Sequence, residues 1–289
     1  MRYKMDAEKE IKEILKCELK ILLDRLKDDF SEKKEKKRNN WILDCFDGEI
    51  LSNMIFVSSF ESKYGNMFEK IAFQIARLRF GSENVQYIVK SKSIGNEEFE
   101  EFKNQFNHNK KQYIITKLSE KNSGKFSKFR EDHKGDGNKR EKSTLNQQVL
   151  SELLVNLDED KLHEQEVDLL IYNKEEKIFE IFEIKAGGNL DSTNSKGNVE
   201  KLLKIYSALG YENSKIYFAT LYNKDGDENN WKGSVKYQIG EDSLLIGKDF
   251  WEKILPTDIS FIKFKEIYLD VCEELNFKEE IRTLINEYS

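Results

Sequence analysis

"EVDLLIYNKEEKIFEIFEIKAGGN", residues 166–189, decides how this chain folds. Two short apolar runs flank a charged "NKEEK"; the first opens on Asp168 and the second closes on Glu183 and Lys185. Alternate residues of a strand share a face. In the second run Phe179, Ile181, Glu183 and Lys185 therefore lie on one side, and Ile178, Glu180, Phe182 and Ile184 on the other. A turn of about four residues, Lys174 to Lys177, sets Tyr172 against Phe179 and Leu170 against Ile181. The same register places Asp168 opposite Glu183.

Carboxylates on directly opposed residues repel. A divalent cation between them turns the repulsion into a ligand set, and hard oxygen donors suit Mg²⁺. Lys185, one step on along the same face, is placed to hold or deprotonate an attacking water, or to balance charge on a phosphate. Two carboxylates, a metal and a lysine are the equipment for hydrolysing a phosphodiester. The spacing [DE]xK is weak on its own and recurs at Glu10 and Glu61 in this charged chain. The position at the end of an apolar strand, opposite an acid, distinguishes Glu183–Lys185. The plain alternative is an exposed hairpin end with a solvated ion pair.

Working outward, the 289 residues include 35% charged ones of interleaved sign and a net charge of −6, which argues against a generally basic nucleic-acid binder without excluding local patches. Three cysteines, odd in number and far apart, point to a reducing cytoplasm and away from a zinc site. The N-terminal stretch lacks a signal-peptide core, and no segment has membrane-spanning length. Residues 5–30 carry Ile11, Ile14, Leu15, Leu19, Leu22, Leu23 and Leu26 at helical spacing, before a polar linker, "SEKKEKKRNN", over 31–40. A second helix ends at Gly81. Residues 85–91, 112–119, 215–222 and 243–247 are strand candidates; 96–106, 149–157 and the stretches after 198, 248 and 261 are helical. Residues 121–148 are expected to be a loop. The order gives a mixed α/β architecture.

The residues "VDLLIY…IFEIFEIK" resemble the core of the PD-(D/E)xK nuclease superfamily, with Asp168, Glu183 and Lys185 at its signature positions. Residues 166–206 are similar to type II restriction endonucleases, in which a long loop follows the lysine; "LLIGKDFWEKIL" (244–255) adds a weaker likeness. The resemblance implies a restriction-endonuclease-like core, a central mixed sheet flanked by helices with helical N- and C-terminal additions. It makes residues 1–289 a single endonuclease domain, with a helical region at 1–58, a catalytic core at 59–255 and closing helices at 256–289. It also implies an earlier glutamate in a Gly-x-x-x-Glu setting, which "GNMFEKIA" supplies as Glu69, at the edge of a stripe of Phe68, Ile71, Ala72 and Ile75; Glu61 is the competitor.

The implied activity is Mg²⁺-dependent, site-specific cleavage of double-stranded DNA. Asp168, Glu183 and the Ile184 carbonyl would bind metal, and Lys185 would position the water. A homodimer would read a palindrome, and a cognate DNA methyltransferase would accompany it. Asn189, Ser195 and Lys196 in the loop after the strand, and Lys125, Lys128 and Arg130 in the basic segment, are candidate DNA contacts. "KKEKKR" (33–38) is a further basic candidate, and Phe126 and Phe129 are candidates for base stacking. A polar strand-to-helix loop capped by Asn194 or Ser195 is the plain reading of the first group. The rival functions are a repair or structure-selective nuclease and a non-catalytic binding module. The three histidines lack zinc or HNH-like spacing, and no Walker-type glycine loop implies ATP use.

Overall fold

The hairpin forms with the register that the alternation dictates. Strands β4 (Leu169–Asn173) and β5 (Ile178–Lys185) pair antiparallel, with Tyr172 opposite Phe179 and Leu170 opposite Ile181. The four-residue turn closes through Asn173, whose Oδ1 accepts the amides of Glu175 and Glu176, and Lys177 takes a positive φ of 57°. In the computed structural model, which describes residues 6–38, 41, 45–153, 161–187 and 192–287, the chain divides into two compact units, 1–75 with 255–289, and 76–254.

Among the described residues, the second unit contains seven strands in two mixed sheets. β1 (Ile88–Lys90) runs parallel to β2 (Gln112–Thr116), which pairs antiparallel with β3 (His163–Val167). The other sheet continues from β4 and β5 into parallel strands β6 (Ser214–Thr220) and β7 (Leu244–Ile246). β3 and β4 are one run of chain, interrupted at Asp168. There the chain leaves one sheet and enters the other, and the buried Gln112 side chain ties the two together: it accepts from the Leu170 amide and donates to the Leu170 carbonyl, at 2.8 and 3.1 Å.

A helix α5 (Ser192–Leu209) covers the face of β5 that carries Ile181 and Glu183. Val199, Leu202, Leu203 and Tyr206 bury against Leu170, Ile181, Ile216 and Phe218. Each such side chain contributes roughly 1.5–3 kcal/mol of transfer free energy, an upper figure. The opposite face, through Phe182, meets Phe250 of α6 (Lys248–Ile254), with ring centroids 6.1 Å apart. α6 is anchored by Trp251, whose indole donates to the Leu221 carbonyl.

In the first unit, α1 (Ala7–Arg38) buries Ile11, Leu15, Leu19, Leu22 and Leu26 and packs against α7 (Phe261–Glu274). α2 (Gly48–Phe80) ends at Gly81, which has a φ of +89°. α8 (Phe277–Glu287) follows α7 directly.

Several expectations are corrected. Residues 31–38 continue α1 instead of forming a linker; 39–40 lie outside the described residues. Within the expected loop, Ser123–His133 form a helix, α4, because Phe126 and Arg130, one turn apart, both find a buried environment. The expected helix at 149–157 is a single 3-10 turn, Val149–Glu152, with 154–160 outside the described residues. Strand β3, "HEQEV", has too little apolar character to announce itself. α3 (Asn96–Gln105) stands where helical spacing placed it.

Candidate active site

The end of the hairpin gathers two acids and two lysines. β4 begins one residue after Asp168, and the antiparallel ladder stops at Leu169–Phe182. In place of the next rung the Asp168 carboxylate closes the pairing itself: the Ile184 amide donates to its Oδ2 at 2.8 Å. Glu183 is 1% exposed, inside β5 and paired in register with Phe218 of β6. Lys185 Nζ lies 2.6 Å from Glu183 Oε1 and 3.8 Å from Asp168 Oδ2, with its side chain one-third exposed. Asp168, Glu183 and Lys185 are thus brought together at the place where the register puts them.

A fourth member was not among the residues read from the sequence. Lys201, on α5, donates to Asp168 Oδ1 at 2.8 Å and sits 2.5 Å from Glu183 Oε2. The second contact is an ion pair without hydrogen-bond alignment, so Glu183 Oε2 stays buried with no hydrogen-bond partner. One signal in the sequence could have found Lys201: it shares a helical face with Ile205 and Ala208, both fully buried, so its stem points at the sheet.

The electrostatics follow from the burial. Loss of water pushes the Glu183 carboxyl above the usual range, Asp168 adds to this, and Lys185 and Lys201 oppose it. Burial works against the charge on Lys201, but Glu183 and Asp168 outweigh it and hold the ammonium above its ordinary value. The strand leaves the site through Gly187, at a φ of +124°. A Cβ there would lie 2.5 Å from the Tyr222 carbonyl oxygen, so only glycine permits this close exit.

The donor set suits a hard cation: two buried carboxylates, one with an oxygen lacking a hydrogen-bond partner. Among the described residues no group of three or more His, Cys, Asp or Glu side chains is placed to hold a metal ion, so the acidic set in this unit is a pair. Glu69 and Glu61 belong to the first unit, on α2, where Glu69 is half-buried and Glu61 exposed.

The candidate DNA contacts divide. Lys125 and Lys128 are exposed on α4, and Lys196 is half-buried on α5. Asn189 lies outside the described residues. Ser195 is a correction: it is inside α5 rather than in a loop, fully buried, and its hydroxyl pairs with that of Ser234 at 2.6 Å. Neither Ser195 nor Asn194 precedes the helix, which starts at Ser192. Arg130 is a second correction. It is 3% exposed and spent internally, on Glu200 at 3.0 Å, Gln238 at 2.8 Å and Glu131 at 2.5 Å. Phe126 is a core residue and Phe129 packs against the core, which removes Phe126 as a stacking platform.

Arg130 therefore has a structural role that can be measured. Arg130→Met should lower unfolding stability by about 2 kcal/mol, because it leaves acceptors on Glu200 and Gln238 unsatisfied. Glu131, held down to about 2 by Lys134 and then by Arg130, is folded-state acidic relative to its ordinary 4.5. Its share of the stability is present above pH 4.5 and fades as the pH falls toward 2. Its side chain is 39% exposed, so solvent screening keeps that share small. Denaturant titrations should accordingly show the deficit of the variant narrowing on acidification; a deficit independent of pH would separate Glu131 from Arg130.

Comparison with known families adds one finding. The family model described as type II restriction endonuclease, HinfI, matches residues 7–272. No curated protein and no solved structure matches the chain.

Proposed function

We propose that Asp168, Glu183 and Lys185 form the catalytic centre of this chain, which belongs to the HinfI family of type II restriction endonucleases and is a site-specific DNA endonuclease. The observation that carries the assignment is the closure of the hairpin: the register and the Ile184–Asp168 bond converge two buried carboxylates and a part-exposed lysine on one point.

Members of such families typically use a divalent metal. Here Asp168, Glu183 and the Ile184 carbonyl would hold Mg²⁺, which when bound supplies charge neutralisation at the scissile phosphate and a more acidic water. Lys185 does the remaining work at the strand end. Its Nζ reaches Glu183 on one side and solvent on the other, so as an ammonium it can hold the attacking water against the phosphorus and balance the charge that develops on the phosphate. The arrangement supports membership of the PD-(D/E)xK superfamily. The part of Glu69 as a further acid rests on the sequence alone, with Glu69→Gln against Glu61→Gln cleavage rates as its test.

Lys125 and Lys128 are exposed on a helix that packs against α5 and are available to meet phosphates, and Lys196 joins them less freely. Single alanine variants that bind DNA with unchanged salt dependence would remove them. A homodimer suits a palindromic target, and α2 supports one: Ile50, Met54 and Val57 share a face and are 45, 40 and 52% exposed. A monomeric mass both free and on DNA would overturn it. A cognate methyltransferase to protect the host sequence and a cytoplasmic setting complete the proposal. The cysteine thiols support that setting; among the described residues no helix is long and apolar enough to cross a membrane.

The first test is plasmid digestion. Discrete fragments are expected with Mg²⁺ and none with EDTA, and their ends give the target sequence. Cleavage that survives exhaustive chelation would overturn the metal-assisted reading.

A further inference from the structure

The four charges at the hairpin end balance, yet the two lysines are not equivalent. Lys185 sits beside the acids: it contacts Glu183 Oε1 closely and Asp168 only at 3.8 Å. Lys201 sits between them, taking one oxygen from each carboxylate, Asp168 Oδ1 at 2.8 Å and Glu183 Oε2 at 2.5 Å. A divalent cation held by both carboxylates would compete with this ammonium for the same two oxygens. We propose that the Lys201 ammonium is the resident counter-ion of the metal seat, and that a divalent cation enters by displacing it. The proposal rests on the reading of Asp168 and Glu183 as metal ligands.

Three observations argue for it. Charge counting comes first: two carboxylates balance two ammoniums, so a doubly charged ion added to the intact set would leave an excess of two positive charges around a 1% exposed glutamate. One ammonium must leave, and the one that bridges is the one in the way. Second, the Lys201–Glu183 contact is a charge contact without hydrogen-bond alignment, so a spherical ion replaces it with no directed bond lost at Oε2. Third, Lys201 has a way out. Its side chain is 34% exposed on α5, with four methylenes of reach.

Displacement has a functional consequence. The ammonium released from the seat needs an anion, and the phosphate of a bound DNA strand is one. Metal and DNA therefore favour each other's binding, reciprocally, through this side chain. Without DNA, Lys201 keeps the acids apart from stray cations while holding them in position.

The test is Mn²⁺ titration in the absence of DNA, following the paramagnetic resonance signal of the free ion. Lys201→Met should bind one Mn²⁺ about tenfold more tightly than wild type, equivalent to ~1.4 kcal/mol. Lys201→Arg, which keeps the charge, should bind no more tightly than wild type. Lys185→Met should gain less than Lys201→Met. Should Lys201→Met prove unstable, Lys201→Gln carries the same expectation. Unchanged or weaker Mn²⁺ binding by the neutral variants overturns displacement, as does an equal gain in Lys185→Met. If wild type and Lys201→Met both fail to bind Mn²⁺, or if Asp168→Asn binds as well as wild type, the metal-ligand reading itself falls, and displacement with it.

Discussion

Asp168→Asn is expected to lower the single-turnover rate of DNA cleavage by roughly a thousandfold or more, several kcal/mol of transition-state stabilisation, with no rescue by added Mg²⁺. The substitution is close to isosteric, and its effect on folding is small for a reason visible in the site. The amide oxygen of Asn can still accept the Ile184 N–H, which Asp168 Oδ2 now accepts at 2.8 Å. What it cannot do is supply a negative oxygen opposite Glu183. Lys201, now bonded to Asp168 Oδ1 at 2.8 Å, is left with Glu183 alone, so the variant should be assayed with its melting temperature beside its rate. A folded variant that cuts within tenfold of wild type would remove Asp168 from the catalytic set.

Lys185→Ala carries the second large effect, again roughly a thousandfold in the single-turnover rate, or ~4 kcal/mol. Two consequences of the substitution compete, and their magnitudes decide what is seen. Loss of Lys185 takes one of two cations from a glutamate that is 1% exposed and costs roughly 1–3 kcal/mol of folding stability, since Lys201 still balances that carboxylate. In the proposed mechanism, loss of the group that holds the attacking water acts on the barrier itself and dominates. Lys185→Arg should recover little, since a planar fork cannot occupy the position of a compact ammonium beside Glu183 Oε1. The measurement is fragment formation against time with enzyme in excess. If DNA binding and cleavage fall in parallel in Lys185→Ala, the lysine serves binding and not the chemical step.

The hairpin was legible because every one of its signals agreed. Period-two alternation fixed the faces, the four-residue turn fixed the register, and together they placed Asp168 against Glu183 with no tertiary information. The helices α1, α2 and α7 were legible for the same reason, through apolar stripes at 3.6-residue spacing. The failures share a cause of the opposite kind. β3 is a strand because β2 pairs with it, and its charged "HEQEV" carries no apolar pattern of its own. α4 is a helix because Phe126 and Arg130 find burial and partners supplied by residues 70 and 108 positions further on. The spacing of Lys201 with Ile205 and Ala208 gives its inward face, but which strand that face meets, and so its place beside the acids, comes from the packing of α5 on β5. Ser195 and Arg130 read as exposed polar residues and are buried, for in a chain this rich in charge the polar side chains that turn inward look like those that do not.

The two oxygens of Asp168 answer to different masters. Oδ2 closes the backbone where the chain belongs to neither sheet, with Lys185 no nearer than 3.8 Å, and Oδ1 takes the close bond from Lys201. Aspartate is a poor strand residue, but at this interruption there is no ladder for it to spoil. On the proposed assignment, position 168 is constrained twice: an apolar replacement is expected to fray the hairpin end and to abolish cleavage. The exception is the amide, which keeps the backbone bond and loses the charge. Among descendants of this chain that have lost cleavage yet remain folded, position 168 is where asparagine should accumulate.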